Sequence, residues 1–449
     1  MYLCAQIKKL TNMLVNFSVE NFRSFRKEAI LRMEATNIKE LSNSVISRNG
    51  FKLLPVAVMY GANSSGKSNL LKAMSRMVRV ILESAKLNPK DSLNYEPFAL
   101  DTSSSQLPTS FEIQFIINDS KYRYGFDYNK TAIVNEWLYK ETAKGKEVEL
   151  FLRAEDEYEI SDKYFEEGIG KEKSTPANRL FISVVAQLNG EISQEILEWF
   201  ENFNAIDGAD TERYESITLE MLHDKKDGYD NALSFFRKLQ LGFNNIVIED
   251  KQLTPDILES LKDAPETVRK KILQGFEKGE VVESITIHNI YNEKGNVIGE
   301  KSFSKDKMES EGTKKLIELS GPIFDTLYYG KVLVVDEFDA KWHPILTRNV
   351  VKLFMDPEIN KKGAQLIFAT HDTNLLSVNH FRRDQIWFTE KDQCDSTDLY
   401  SLVEFKYDNG KKVRNDSSIE KDYINGRYGA IPYIGGIKYG QEQITTTEA

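Results

Sequence analysis

The apolar run Pro55-Val-Ala-Val-Met-Tyr60 passes directly into Gly61-Ala-Asn-Ser-Ser-Gly66-Lys67-Ser68, and then into Asn69-Leu-Leu-Lys-Ala-Met-Ser-Arg-Met-Val. This is the phosphate-cradling pattern GxxxxGK[ST] in its proper setting, with a buried strand before it and a helix after it. It constrains the chain more than any other stretch, because strand, tight turn and helix must fold as one unit around a phosphate. Gly61 and Gly66 allow backbone conformations that a side chain would block, so that successive N–H groups converge on the anion at a helix N-terminus. Lys67 supplies a point charge for the β- and γ-phosphates, and the Ser68 hydroxyl is placed to hold Mg²⁺. Asn63, Ser64, Ser65 and Asn69 complete the expected nucleotide-binding set.

A second motif lies more than half the chain away. Lys331-Val-Leu-Val-Val-Asp336-Glu337 is a short apolar run ending in two acids, the form of a buried parallel strand whose carboxyl end delivers carboxylates to a site. Asp336 is expected to orient the Mg²⁺ shell. Glu337 is expected to polarise the attacking water, as general base or as its positioning partner. An apolar strand before Asp-Glu is common by itself; pairing it with an upstream phosphate loop gives it meaning.

Composition sets bounds. With 449 residues and 41% hydrophobic content, the chain can bury a large core in two or three domains. Two cysteines, Cys4 and Cys394, exclude a disulfide framework and fit a reducing cytoplasm. No run has the length of a membrane span, and Met1 to Leu14 lacks a signal-peptide core. The residues before Met13 read as an extension ahead of the first strand, and the final Gln441–Ala449 stretch as a tail. A net charge of −10 argues against a surface coated with nucleic acid, although it leaves room for a local basic patch.

The middle of the chain divides by period. Thr109–Ile117 and Lys121–Tyr128 alternate about a turn at Asn118-Asp-Ser120 and read as a hairpin, joined by Ala132–Tyr139. From about Glu191 to Glu280 the pattern is helical, with segments at Gln194–Phe203, Asn231–Leu239 and Pro265–Leu273. No heptad run is sustained, so a compact insertion is expected rather than a coiled-coil arm. Val281–Tyr291 and Val297–Phe303 form a second expected hairpin. The lysine pairs Lys225-Lys226, Lys270-Lys271 and Lys361-Lys362 are scattered and read as solvated faces.

The long gap between the motifs resembles the cassette (ABC-type) ATPases related to SMC and RecF proteins, in which an insertion separates phosphate loop and acidic strand. Several further segments occur in that family's order. Ser310-Glu-Gly312-Thr-Lys-Lys resembles the signature that opens a helix, although Ser-Glu-Gly-Thr is also an ordinary N-capped helix start. Gln365-Leu-Ile-Phe-Ala-Thr-His371-Asp resembles the strand ending in a switch histidine. Asp336-Glu-Phe-Asp-Ala-Lys-Trp-His343-Pro344 is similar to the interface segment of the overcoming-lysogenization-defect (OLD) and abortive-infection branch. Near the start, Asn21-Phe-Arg23-Ser-Phe25 resembles the first strand of SMC/RecF heads. The stretch from Lys421 to Tyr433 resembles the closing segment of bacterial ATPases of the RloA or AbiLi type.

The resemblance implies an α/β fold: an ABC-type head with a mixed core sheet, an antiparallel β lobe and a helical insertion. Residues 1–190 would carry the first half of the head, 191–280 the insertion, and 281–449 the second half. ATP with Mg²⁺ is the implied ligand, bound by the phosphate loop with Arg23 close by. Ser310 and Gly312 of a second copy would cover the γ-phosphate, so a homodimer or higher even-numbered homo-oligomer is implied. His371 would hold the attacking water or sense the departing product. Gln187 stands where the family places a glutamine near Mg²⁺, but an amide at a helix end is also an ordinary surface residue.

The implied function is ATP hydrolysis by the sensor or regulatory ATPase of an anti-phage defence system, acting on a separately encoded effector, a nuclease or toxin. The stretch after His371 is expected to be too short for the nuclease domain of OLD-type proteins. Two other classes stay open: an SMC/RecF-like DNA repair or recombination clamp, and a scaffold that uses ATP only as structural glue. No membrane partner is expected.

Overall fold

The computed structural model describes residues 12–432 except 49, 119, 143–144, 209–211, 251–252, 263–264, 278–280, 408–409, 411 and 415–416. The expected extension before Met13 lies outside them but for Asn12, as do Asp119 of the first hairpin turn, Tyr433 and the expected tail. The chain opens with β1 (Asn12–Glu20) and β2 (Ala29–Arg32), a short pair β3 (Ile46–Arg48) and β4 (Phe51–Leu53), then β5 (Val56–Tyr60) and α1 (Lys67–Ser84). An antiparallel run follows: β6 (Thr109–Ile117), β7 (Ser120–Tyr128), β8 (Ile133–Glu141), β9 (Glu147–Ala154) and β10 (Glu157–Ile160). Then come α2 (Phe181–Gln187), α3 (Glu191–Glu201) and β11 (Phe203–Asp207).

The next region holds α4 (Glu212–His223), α5 (Tyr229–Leu239), β12 (Asn245–Asp250), α6 (Pro255–Ser260) and α7 (Glu266–Glu277), followed by the hairpin β13 (Val282–Tyr291) and β14 (Val297–Ser304). The chain returns through α8 (Lys305–Met308) and α9 (Glu311–Tyr329) to β15 (Val332–Asp336), α10 (Pro344–Met355), β16 (Gln365–Ala369), β17 (Ile386–Lys391), β18 (Thr397–Ser401) and α11 (Ile419–Ile424).

Two sheets position the site. The core sheet has the order β11-β15-β16-β5-β17-β18, parallel except for β18, which closes it as an antiparallel edge. The second is antiparallel throughout, in the order β10-β9-β8-β7-β6-β1-β2. The mixed core sheet, the antiparallel lobe and a partly helical stretch between them are the parts that the sequence analysis expected. Side chains of β15 alternate across the core sheet, as a strand must when both faces are covered. Val332 and Val334 face a cluster with α1 and the antiparallel lobe, while Leu333 and Val335 face one with α9 and α10.

Helix α1 is therefore wedged between the sheets, with Leu70, Met74, Met77 and Ile81 at 1% exposure or less. Burying each such side chain is worth about 1.5–3 kcal/mol, and this holds the helix directly after the phosphate loop in a rigid setting.

The stretch expected to be helical from 191 to 280 is more mixed. Its first helix, α3, packs on α1 and α2, and β11 pairs in parallel with β15 as an edge of the core sheet. The rest joins α4 to α7 with β12, which extends the β13–β14 hairpin into a three-stranded sheet. Both strands are short, and β11 follows an amphipathic helix without a break in its apolar pattern. Among the described residues no helix is long and apolar enough to cross a membrane.

Candidate nucleotide-binding site

Strands β15, β16 and β5 are neighbours, so the loops leaving their carboxyl ends converge, where α/β sheets bind ligands. A cavity of about 660 Å³ opens there, lined by Asn63, Ser64, Lys67 and Ser68, by Asp336, Glu337 and Asp339, and by Thr370 and His371. Tertiary structure thus unites residues from three distant segments. Asp339 is one the sequence patterns had not singled out.

The loop after β5 is shaped from behind. Gly66 has a φ of 115°, and a Cβ there would collide with the Thr397 side chain. Ser64 also takes a left-handed conformation, with φ of 63°. The Thr397 hydroxyl donates to the Ser65 carbonyl at 2.9 Å and lies 2.8 Å from Ser24 Oγ. Ser24 Oγ in turn accepts from the Asn69 amide at 2.8 Å. The Ser65 hydroxyl lies 2.6 Å from that of Thr389, both buried. Ser65 and Asn69 thus brace the loop, through partners on β17, β18 and the turn after β1. Single buried hydroxyls carry no motif, so Thr389 and Thr397 had no sequence signal.

Lys67 is buried, and its ammonium donates to the carbonyls of Gly61 at 2.8 Å and Ala62 at 3.0 Å. Burial lowers its pKa, while the charges of Asp336, Glu337 and Asp339 act in the opposite direction. A cation held over an anion-binding loop by two neutral carbonyls is poised to exchange them for charged phosphate oxygens.

On the facing wall, Asp336 ends β15 and its Oδ1 accepts from the Glu337 N–H at 3.1 Å. Glu337 takes a φ of 49°, a strained conformation that turns its carboxylate into the cavity mouth. Lys315 on α9 holds this turn: its buried ammonium donates to the carbonyls of Glu337 at 3.0 Å, Phe338 at 3.0 Å and Ala340 at 2.8 Å. The donor set suits Mg²⁺. Ser68 and Asp336 offer two oxygens on one cavity, and no cluster of three or more acids, histidines or cysteines that could hold a metal occurs among the described residues. A cation that keeps several waters and takes its other oxygens from phosphates needs no more.

His371 follows β16 and lies exposed on the cavity wall. Burial lowers its pKa, Lys67 adds to the effect, and Asp339, Glu337 and Asp336 oppose it. The imidazole is therefore neutral at pH 7, able to donate from one nitrogen and accept at the other. Its loop is anchored by the Tyr60 hydroxyl, which donates to the Asp372 carbonyl at 3.0 Å. The closing segment also reaches the site. The Tyr423 hydroxyl faces the Gly61 N–H and donates to the Ala430 carbonyl at 3.1 Å, while its ring stacks on Phe388.

Four candidates belong neither to the phosphate loop and its helix start nor to this cavity. Arg23 forms a two-pronged ion pair with Glu96 at 2.9 and 3.2 Å, and it is the adjacent Ser24 that touches the loop. Gln187 is the exposed last residue of α2. Ser310 caps α9, accepting from the Thr313 N–H at 3.2 Å. Gly312 sits where a Cβ would press on the Lys341 carbonyl, and its own carbonyl accepts from the Trp342 indole. The signature helix thus abuts the turn that carries Glu337 and Asp339, and neither Ser310 nor Gly312 lines the cavity.

No curated protein matches the sequence. Similar solved structures include the SMC head domain from Thermotoga maritima, at 14% identity, covering 86% of this chain and 98% of that one, with a TM-score of 0.38. They also include an Smc head bound to the C-winged helix domain of ScpA, at 12% identity, covering 86% and 97%, with a TM-score of 0.42. A third is an Smc head with an extended coiled coil bound to the C-terminal domain of ScpA derived from Pyrococcus furiosus, at 13% identity, covering 87% and 96%, with a TM-score of 0.34. The family described as "AAA domain, putative AbiEii toxin, Type IV TA system" matches residues 56–377, from the strand before the phosphate loop to beyond His371. That stretch is more than half of the chain, and the protein belongs to this AAA-domain family.

Proposed function

We propose that this protein hydrolyses ATP at sites completed by a second copy, and that it is the regulatory ATPase of an anti-phage defence system of the RloA or AbiLi type. One observation carries the catalytic part. Lys67, Ser68, Asp336, Glu337 and His371 line one cavity, whereas Ser310 and Gly312 present a helix N-terminus elsewhere. The α1 N-terminus and Lys67 bind the phosphates, with Asn63 and Ser64 at the cavity mouth. Ser68 and Asp336 would hold Mg²⁺, which when bound neutralises phosphate charge and fixes the phosphate orientation. Glu337 accepts a proton from the attacking water, and neutral His371 holds that water or the phosphate by a hydrogen bond. Ser310 and Gly312 of the partner copy cover the exposed side through the α9 N-terminus.

The family description, which names a putative toxin and a toxin–antitoxin system, supports the defence role, and the separately encoded effector is part of the proposal. The division into head halves at 1–190 and 281–449 around an insertion is part of the proposal, with α3 and β11 serving the first half.

The test is phosphate release from ATP by the purified protein, with oligomeric state followed by light scattering. Lys67→Ala should abolish nucleotide binding. Glu337→Gln should retain ATP, slow turnover by about 10²-fold or more and accumulate the dimer. Turnover unchanged in both variants would refute the reading, and salt-sensitive, ATP-dependent retention of duplex DNA would favour a DNA clamp instead.

A further inference from the structure

A groove of about 670 Å³ lies between α5, α9 and α10, at the end of α9 remote from Ser310. At 1.5 Å per residue, Tyr328 stands about 24 Å along the helix from Gly312, so an occupant here leaves the nucleotide site free. Its floor is apolar, with Phe235, Phe324 and Leu327 from α5 and α9, and Tyr328 and Ile359 at its edge are 37% and 47% exposed. Its rim is basic: Lys238, Lys352, Lys361 and Lys362 against the two acids Asp356 and Glu358. Among the described residues, none of these lysines has a carboxylate within ion-pair distance, and Lys362 rests over the Tyr328 ring instead. Unpaired cations are conspicuous in a chain of net charge −10. The pair Lys361-Lys362 looked like scattered surface charge in the sequence, and folding brings it beside Lys238 and Lys352.

The geometry points to a docking site for an acidic amphipathic helix of another protein. An apolar stripe would fill the floor between the three helices, and flanking carboxylates would meet the four lysines. A nucleic-acid backbone matches less well, because the floor offers phenylalanine and leucine to phosphates and Asp356 and Glu358 repel them. The groove is wired to the site at both ends. Helix α9 carries Lys315, which grips the carbonyls of Glu337 and Ala340, and α10 begins at Pro344, directly after the turn that holds Asp339. An occupant contacts both helices together and so can bias the position of the Glu337 turn. That this occupant is the effector would rest on the proposed defence role; the docking site itself does not.

The experiment is fluorescence anisotropy with a fluorescein-labelled synthetic helix carrying leucine at i, i+3, i+4 and i+7 and glutamate elsewhere. The full chain is used without nucleotide, and also as Lys67→Ala, so that failure of the ATPase reading leaves this readout intact. The acidic helix should bind about tenfold or more tightly than its lysine counterpart. Lys238→Glu with Lys362→Glu should invert that preference while basal ATP turnover and melting temperature stay unchanged, and Ile359→Asp should weaken both helices. Equal binding of the two helices, or an unaltered preference in the charge-reversed protein, overturns the proposal. Tighter, lysine-dependent binding of labelled duplex DNA overturns it in favour of a nucleic-acid surface.

Discussion

The phosphate-loop wall and the signature wall both present a helix N-terminus, but only the first is finished within one chain. The N-terminus of α1 lies under a loop locked by Thr389, Thr397 and Ser24, with Lys67 tethered over it. The N-terminus of α9 has its first N–H groups capped only by Ser310, with the exposed pairs Lys314–Glu311 and Lys341–Glu311 around it. Exposed pairs of this kind are worth little. A preorganised anion site beside an unfilled one is what the proposed exchange of surfaces between two copies would require, and the turn from Glu337 to Trp342, which both walls share, would couple them.

The strongest way to break this contrast is Lys315→Met. Three carbonyls, one of them buried, lose their donor, which should destabilise the protein by about 2–3 kcal/mol and free the Glu337 turn. A melting temperature and turnover both equal to the parent would show that α9 does not hold the catalytic turn.

Ser310→Ala should cost about 1 kcal/mol through the lost cap. Turnover should fall further than that stability loss explains, and mixing with Glu337→Gln protein should change the rate per active site, since each site borrows the other chain's serine. Rates that simply average on mixing would argue for self-contained sites.

Thr397→Val probes the finished wall. It removes a hydroxyl but little volume, so a loss of about 1 kcal/mol is expected, read as a raised KM for ATP with little change in kcat. An unchanged KM would mean that the loop keeps its shape without that bond.

The smallest effect concerns pH. Burial and the Lys67 charge depress the His371 pKa, so the neutral form is lost only below the ordinary histidine value of 6.5. The acid limb of kcat/KM, which reports the free enzyme, should lie below that value, and His371→Gln should remove it. A limb at or above 6.5 would contradict a neutral imidazole in the free protein.

Much of this was legible in the chain. The strand and glycine turn before α1, the alternating segments of β6, β7, β13 and β14, and the amphipathic face of α5 announce themselves because local periodicity and burial agree there. β11 and β12 were not, being short strands whose partners, β15 and β13, lie far along the chain. Thr389, Thr397, Tyr423, Asp339 and Lys315 were invisible for a related reason. Each takes its role from segments that folding brings together, and such placement leaves no spacing to read.

The sequence by itself determined the chemistry: a glycine loop with Lys67 and Ser68 suits a triphosphate because backbone freedom and charge are local properties. Only the tertiary structure decided that Asp336, Glu337 and His371 share that cavity, that Arg23 is held by Glu96 instead, and that Ser310 caps α9 without lining it. Those outcomes depend on the order of strands in the core sheet, and strand order is a matter of packing across the whole chain.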